Sequence, residues 1–192
     1  MPAMPSLSLS SPARRWPVAA ARTLAALVCA GLACVSCGPK DNEFAPACPR
    51  LALLSDAADL ARFDGHGLDV TNLVTRARIT AVPAKCEEAD TGIVRATLHV
   101  DADVTRGPAS PATPPPLDYF IALLEGDKVL REQDFTLSPS FAANVDRTSV
   151  HGEDIELLLP VGKTKSAATY RIYVGFRLTP AELAFNRAHP SP

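Results

Sequence analysis

Residues 94–104 read VRATLHVDADV, and the alternation in this stretch decides the fold class. Val94, Ala96, Leu98, Val100, Ala102 and Val104 fall on one side of an extended chain, and Arg95, Thr97, His99, Asp101 and Asp103 fall on the other. Successive side chains of a strand point to opposite faces, so the pattern predicts one half-buried strand about eleven residues long. A helix would scatter the same apolar residues around its axis.

The neighbouring segments repeat the theme. Leu73, Thr75, Ala77, Ile79 and Ala81 alternate with Arg76, Arg78 and Thr80. LDYFIALL at 117–124 is a more continuously apolar strand, and Glu125-Gly126-Asp127-Lys128 turns it back into residues 129–137 as a hairpin. Ile155, Leu157 and Leu159 mark another strand. Tyr170, Ile172, Val174, Phe176 and Leu178 mark the last, with Arg171, Tyr173 and Arg177 facing out. CPRLALL at 48–54 reads as a strand whose Pro49 suits a first residue or a sheet edge. Asp64-Gly65-His66-Gly67 is a turn cluster.

Two segments read as helical. Ser55-Asp56 caps a short turn over 57–63. Thr179-Pro180-Ala181-Glu182 begins a C-terminal helix: threonine caps it, proline suits its first position, and glutamate completes a capping box before His189-Pro190 ends it. About seven strands without long intervening helices predict an all-β fold, an antiparallel β-sandwich immunoglobulin- or fibronectin-like in general shape. The buried tryptophan of true immunoglobulin domains is missing, since Trp16 lies ahead of the body. Residues 107–116, GPASPATPPP, read as a stiff solvated loop between two strands, the alternative being a polyproline ligand for a partner.

Composition bounds the function classes. Apolar residues make up 47% of the 192, enough for a packed core. A formal charge of −2 and a pI near 6.1 leave no basic footprint for nucleic acid.

The N-terminal region carries the address. Arg14, Arg15 and Arg22 precede the first acidic residue, Asp41, and residues 23–36 read TLAALVCAGLACVS. A basic segment, a short apolar run and small residues at its end are the layout of a secretory signal. A permanent span needs about 18–20 apolar residues. The run closes in LACVSCGPK at 32–40, whose end resembles the lipobox of bacterial lipoproteins. In that family a small-residue cluster precedes the cysteine that becomes the acylated N-terminus. Cys37 follows Val35-Ser36 and precedes Gly38-Pro39-Lys40, which opens a polar tether over 37–47. Cys34 stands where the family usually has leucine; it is the alternative acylated residue, with Leu32-Ala33 before it and Gly31 at that same position. The resemblance implies anchoring at the periplasmic face of the outer membrane, because the residue after Cys37 is not aspartate.

The Cys34/Cys37 spacing suits neither a haem site, which needs histidine where Gly38 stands, nor a zinc ribbon, which needs a second Cys-x-x-Cys. In the body, Cys48 and Cys86 stand alone. In an oxidising compartment two such cysteines pair, closing a loop of about forty residues; in the cytosol they would be free thiols.

Candidate chemistry is sparse. Gly162-Lys163-Thr164 lacks the earlier glycine of a phosphate loop, as Leu157 occupies its place. His66, His99, His151 and His189 share no metal-ligand spacing, so no metal or cofactor is expected. Asp101 and Asp103 share a strand face near Arg95 and His99, which suits a cation, a basic ligand or simple solvation. Glu87-Glu88-Asp90 and Glu153-Asp154-Glu156 read as acidic turns without the glycine of a calcium loop. No serine sits in a G-x-S-x-G elbow. If the first and last strong strands are neighbours, Arg76, Arg78, Arg171, Tyr173 and Arg177 make one basic-aromatic face for an anionic envelope component or a protein partner.

The leader cysteine, Cys48-Pro49, the second body cysteine and the closing YRIYVGFRLTPAELAFNR together resemble a group of small uncharacterised lipoproteins of alphaproteobacteria. The resemblance supports the envelope address and the Cys48–Cys86 pair and implies no activity. The expectation is a non-enzymatic envelope lipoprotein. Residues 1–36 would be its signal peptide and 48–188 a β-sandwich serving as a binding or structural module. A soluble periplasmic accessory subunit is the second reading, and an envelope enzyme the third.

Overall fold

The computed structural model describes residues 46–190. The segment read as signal and tether, with Cys34 and Cys37, lies outside the described residues apart from positions 46–47.

The fold is all-β and sandwich-like with one short helix. Eleven strands run in order: β1 (Arg50–Leu53), β2 (Asp59–Phe63), β3 (Leu73–Ala81), β4 (Ala84–Asp90), β5 (Ile93–Leu98), β6 (Asp101–Arg106), β7 (Leu117–Glu125), β8 (Lys128–Leu137), β9 (Arg147–His151), β10 (Ile155–Pro160) and β11 (Tyr170–Phe176). Helix α1 (Pro180–Ala188) follows. One sheet has the order β1-β11-β7-β8; β1 runs parallel to β11 and the other pairs are antiparallel. Two further sheets have the orders β2-β3-β6-β9 and β10-β5-β4.

These last two sheets are halves of one bent layer. β3 runs into β4, β5 into β6 and β9 towards β10, so three chain segments each cross from one half to the other in matching order. Strands that bend at a corner let one layer wrap around a core. Pairing continues through the bend: the His99 amide donates to the Pro83 carbonyl at 3.3 Å, and the Gly152 amide to the Val100 carbonyl at 2.8 Å. The strand expected over 94–104 is therefore β5 and β6, broken at residues 99–100. Its inward set holds on both sides of the break, with all six apolar residues at 4% exposure or less.

One core joins both layers. It runs through Leu60, Leu98 and Val104 of the bent layer to Tyr119, Ile172 and Phe176 of the other sheet. Hairpins turn where expected and at one further place: Gly126 takes φ 60° between β7 and β8, and Gly92 takes φ 77° between β4 and β5. Such angles suit glycine, which has no Cβ to clash.

Two expectations are corrected, and one strand had not been anticipated. Residues 59–63 are strand β2, preceded by a 3-10 turn at Ser55–Ala57 that no side chain caps. Leu60 faces the core while Ala61, on the other face, is buried too; a strand covered on both sides loses its alternation. Glu87, Glu88 and Asp90 belong to edge strand β4 rather than a turn. Edge strand β9 was likewise hidden, because its alternate side chains are largely exposed.

Helix α1 forms as its sequence dictates. The Thr179 hydroxyl accepts from the Glu182 amide at 3.2 Å, and Glu182 Oε2 accepts from the Thr179 amide at 2.7 Å. The helix lies against β2, with the Phe63 and Phe185 rings edge to face at 5.1 Å.

Candidate functional site

The outer face of β2-β3-β6-β9 carries a grid of polar side chains set by strand register. Arg76 pairs with Thr105, and Thr105 with Arg147, so the two arginines flank one hydroxyl across three adjacent strands. One step along, Asp59, Arg78, Asp103 and Ser149 form a second row. Cross-strand partners share a face, and neighbouring strands lie about 4.8 Å apart. Arg76 and Arg147 thus start roughly 10 Å apart, close enough for both guanidinium groups to reach one small anion above Thr105.

The charges of the second row are committed. Arg78 Nε donates to Asp59 Oδ1 at 2.7 Å, and that hydrogen bond raises the guanidinium's pKa above its ordinary value. Asp103 Oδ1 accepts from the Ser149 hydroxyl at 2.7 Å. Arg76 and Arg147, by contrast, have neither a hydrogen-bond nor an ion-pair partner among the described residues.

Helix α1 walls this face and makes it a trough. A cavity of about 540 Å³ lies between the arginine rows and Phe185, Asn186 and His189. His189 stacks on Phe185 at 4.4 Å between ring centroids, and its Nδ1 lies 3.0 Å from the Phe185 carbonyl oxygen. A second cavity of about 530 Å³ lies along the first half of the helix, between Phe63, Gly67, Leu68, Ala181 and Phe185. Ala61 and Phe185 wall both cavities. At the apolar end Arg62 and Glu182 neutralise each other: Arg62 Nε donates to Glu182 Oε1 at 3.0 Å, and Arg62 Nη1 donates to the Pro116 carbonyl at 3.2 Å.

The five-residue face expected from the sequence is divided. Arg76 and Arg78 lie on β3, while Arg171 and Tyr173 lie on β11, which belongs to the other layer, with Arg177 just beyond its end. Arg177 is held by Glu132 and Asp134 and covers the Phe120 ring at 4.6 Å. Arg171 lies 3.8 Å from Asp127. Cys48 and Cys86 are joined in a disulfide with Cα atoms 5.6 Å apart. Compared with family models, curated proteins and solved structures, the chain matches none.

The other polar groups lie elsewhere. Asp101 sits between His99, at 3.5 Å, and His151, at 2.7 Å, on the corner of the bent layer; His99 also meets Asp154 at 3.2 Å. Arg95 pairs with Glu87 and Glu156 on the far side of that corner, away from Asp103. Among the described residues no three His, Cys, Asp or Glu side chains gather as a metal would require. No helix among them is long and apolar enough to cross a membrane. Sequence reasoning found Arg76 and Arg78 but missed Arg147 and Thr105, because the register that aligns them is not written in any single segment.

Proposed function

We propose that this chain is a non-enzymatic cell-envelope lipoprotein, acylated at Cys37, whose β-sandwich is a recognition module with the trough along α1 as its binding surface. The observation that carries the binding half is the row Arg76–Thr105–Arg147, two cations without carboxylate partners among the described residues, on either side of a hydroxyl. Groups of this kind hold an anionic ligand. The two carboxylates beside them, Asp59 and Asp103, are engaged by Arg78 and Ser149. The basic-apolar-cysteine leader supports the anchoring half. Two or more acyl chains give stable attachment without a spanning helix.

Mass spectrometry of the mature N-terminus, on protein recovered from native membranes, tests the anchor. The expected species begins at an acylated Cys37. A species beginning at acylated Cys34 keeps the anchor and moves the processing site. An intact Met1 or an unmodified N-terminus overturns it.

A further inference from the structure

The arginine row lines only one of the two cavities beside α1, and the other is differently lined. Resting on the reading of the trough as a binding surface, we infer that its ligand is a single-chain anionic amphiphile, its phosphoryl headgroup held by Arg76, Thr105 and Arg147 and its apolar chain laid along α1 into the cup of Phe63, Leu68 and Phe185.

Three observations meet in this assignment. First, the two cavities adjoin: Ala61 and Phe185 belong to both, and they follow successive halves of the same helix. From Ala181 to His189 the helix rises roughly 12 Å, which sets the length of chain that can lie beside it. Second, the ends differ in kind. The basic end presents two guanidinium groups unpaired among the described residues and a hydroxyl, beside the Asp59–Arg78 pair and the Asp103–Ser149 hydrogen bond. The other presents Phe63, Leu68, Ala181 and Phe185, its one ion pair closed on itself between Arg62 and Glu182. Leu68 is 65% exposed on the lip of that cup, an apolar side chain that a bound chain would cover. Third, the headgroup donors stand side by side on three adjacent strands, β3, β6 and β9, and reach one point above Thr105 from either side of it. A planar carboxylate is filled by one arginine fork, whereas a tetrahedral phosphoryl group offers oxygens to both arginines and to Thr105. Cavities of about 530 and 540 Å³ are in the range that small ligands fill.

Calorimetric titration of the purified full chain with dodecyl phosphate, kept below its critical micelle concentration, tests the inference. Dodecanoate, inorganic phosphate and dodecyl maltoside serve as the comparison probes. Saturable one-to-one binding of dodecyl phosphate is expected, tighter than dodecanoate and far tighter than inorganic phosphate, since each buried methylene is worth about fourfold in affinity. Arg76→Ala with Arg147→Ala should weaken dodecyl phosphate at least tenfold. Leu68→Ser should weaken it severalfold and leave inorganic phosphate unchanged. All three positions are exposed, so the variants should fold, as unchanged circular dichroism would show. Equal affinity for inorganic and dodecyl phosphate, equal affinity for dodecyl maltoside, tighter binding of dodecanoate, or indifference to the arginine changes would each overturn the assignment. An acylated N-terminus with no dodecyl phosphate binding would remove this ligand and keep the anchor. An unmodified N-terminus with binding intact would do the reverse.

Discussion

At the scale of single residues, the core contains two polar oxygens without a partner among the described residues. Thr75 Oγ1 and the Tyr119 hydroxyl are both buried without a hydrogen-bond partner. The Tyr119 ring stacks on Phe135 at 5.5 Å, and its hydroxyl would lie 3.0 Å from a Cβ placed on Gly152. Burial, with a smaller contribution from the charge of Glu153, pushes the Tyr119 pKa up to about 12. The folded protein therefore keeps a proton that the unfolded chain releases above pH 10 or so. Stability is intact below that pH and is lost as pH rises towards 12, by up to about 2–3 kcal/mol from this one group. Tyr119→Phe should leave neutral stability unchanged or raise it by about 1 kcal/mol, and should flatten the alkaline decline. Urea unfolding at pH 8 and pH 11 measures both. A loss above about 1 kcal/mol at pH 8 would mean the hydroxyl is bonded after all. The sequence placed Tyr119 in a strand and Thr75 on an inward face, and both are so placed; a missing partner leaves no trace in a sequence.

Among the elements, α1 was the most legible because its signals are local. The capping box sits within four consecutive residues, and both halves form. What the sequence did not disclose is that Glu182 has a second duty across the fold, accepting from Arg62 on β2 while it caps the helix. Thr179→Ala removes one cap hydrogen bond and should cost about 1 kcal/mol. Glu182→Ala strands both the Thr179 amide and Arg62 and should cost more, about 2–3 kcal/mol. Equal losses in denaturant unfolding would refute the dual role. Strand β2 shows the converse. It was misread as a helical turn because α1 buries the face that would otherwise have been polar. The bent strand β5–β6 marks the limit of periodicity: alternation reports which way each side chain faces and is silent on which strands lie alongside. Arg76 and Arg78 were identified as outward-facing for that reason, and Arg147 could not be joined to them.

Across the whole molecule, the Cys48–Cys86 disulfide ties the segment just ahead of β1, an edge strand of its sheet, to edge strand β4 of the bent layer. The pairing was readable from two lone cysteines behind a leader read as a secretory signal, but its role as a link between layers was not. It closes 38 residues of chain, and in the chain-entropy account such a loop contributes about 3–4 kcal/mol. Cys48→Ser with Cys86→Ser should lower the unfolding free energy by that amount, measured in denaturant against the oxidised parent. A loss under about 1 kcal/mol would show that the unfolded chain is barely restrained by the link.

The position of that link also sets how the domain carries load. Strand β1 has only four residues and a single neighbour, β11. Alone, it would peel away under a tug arriving from the N-terminal side. Cys48 lies before it, so such a tug reaches the disulfide first and passes directly to β4. Under such a tug the shortest strand is thereby shielded, and the covalent crosslink carries the load.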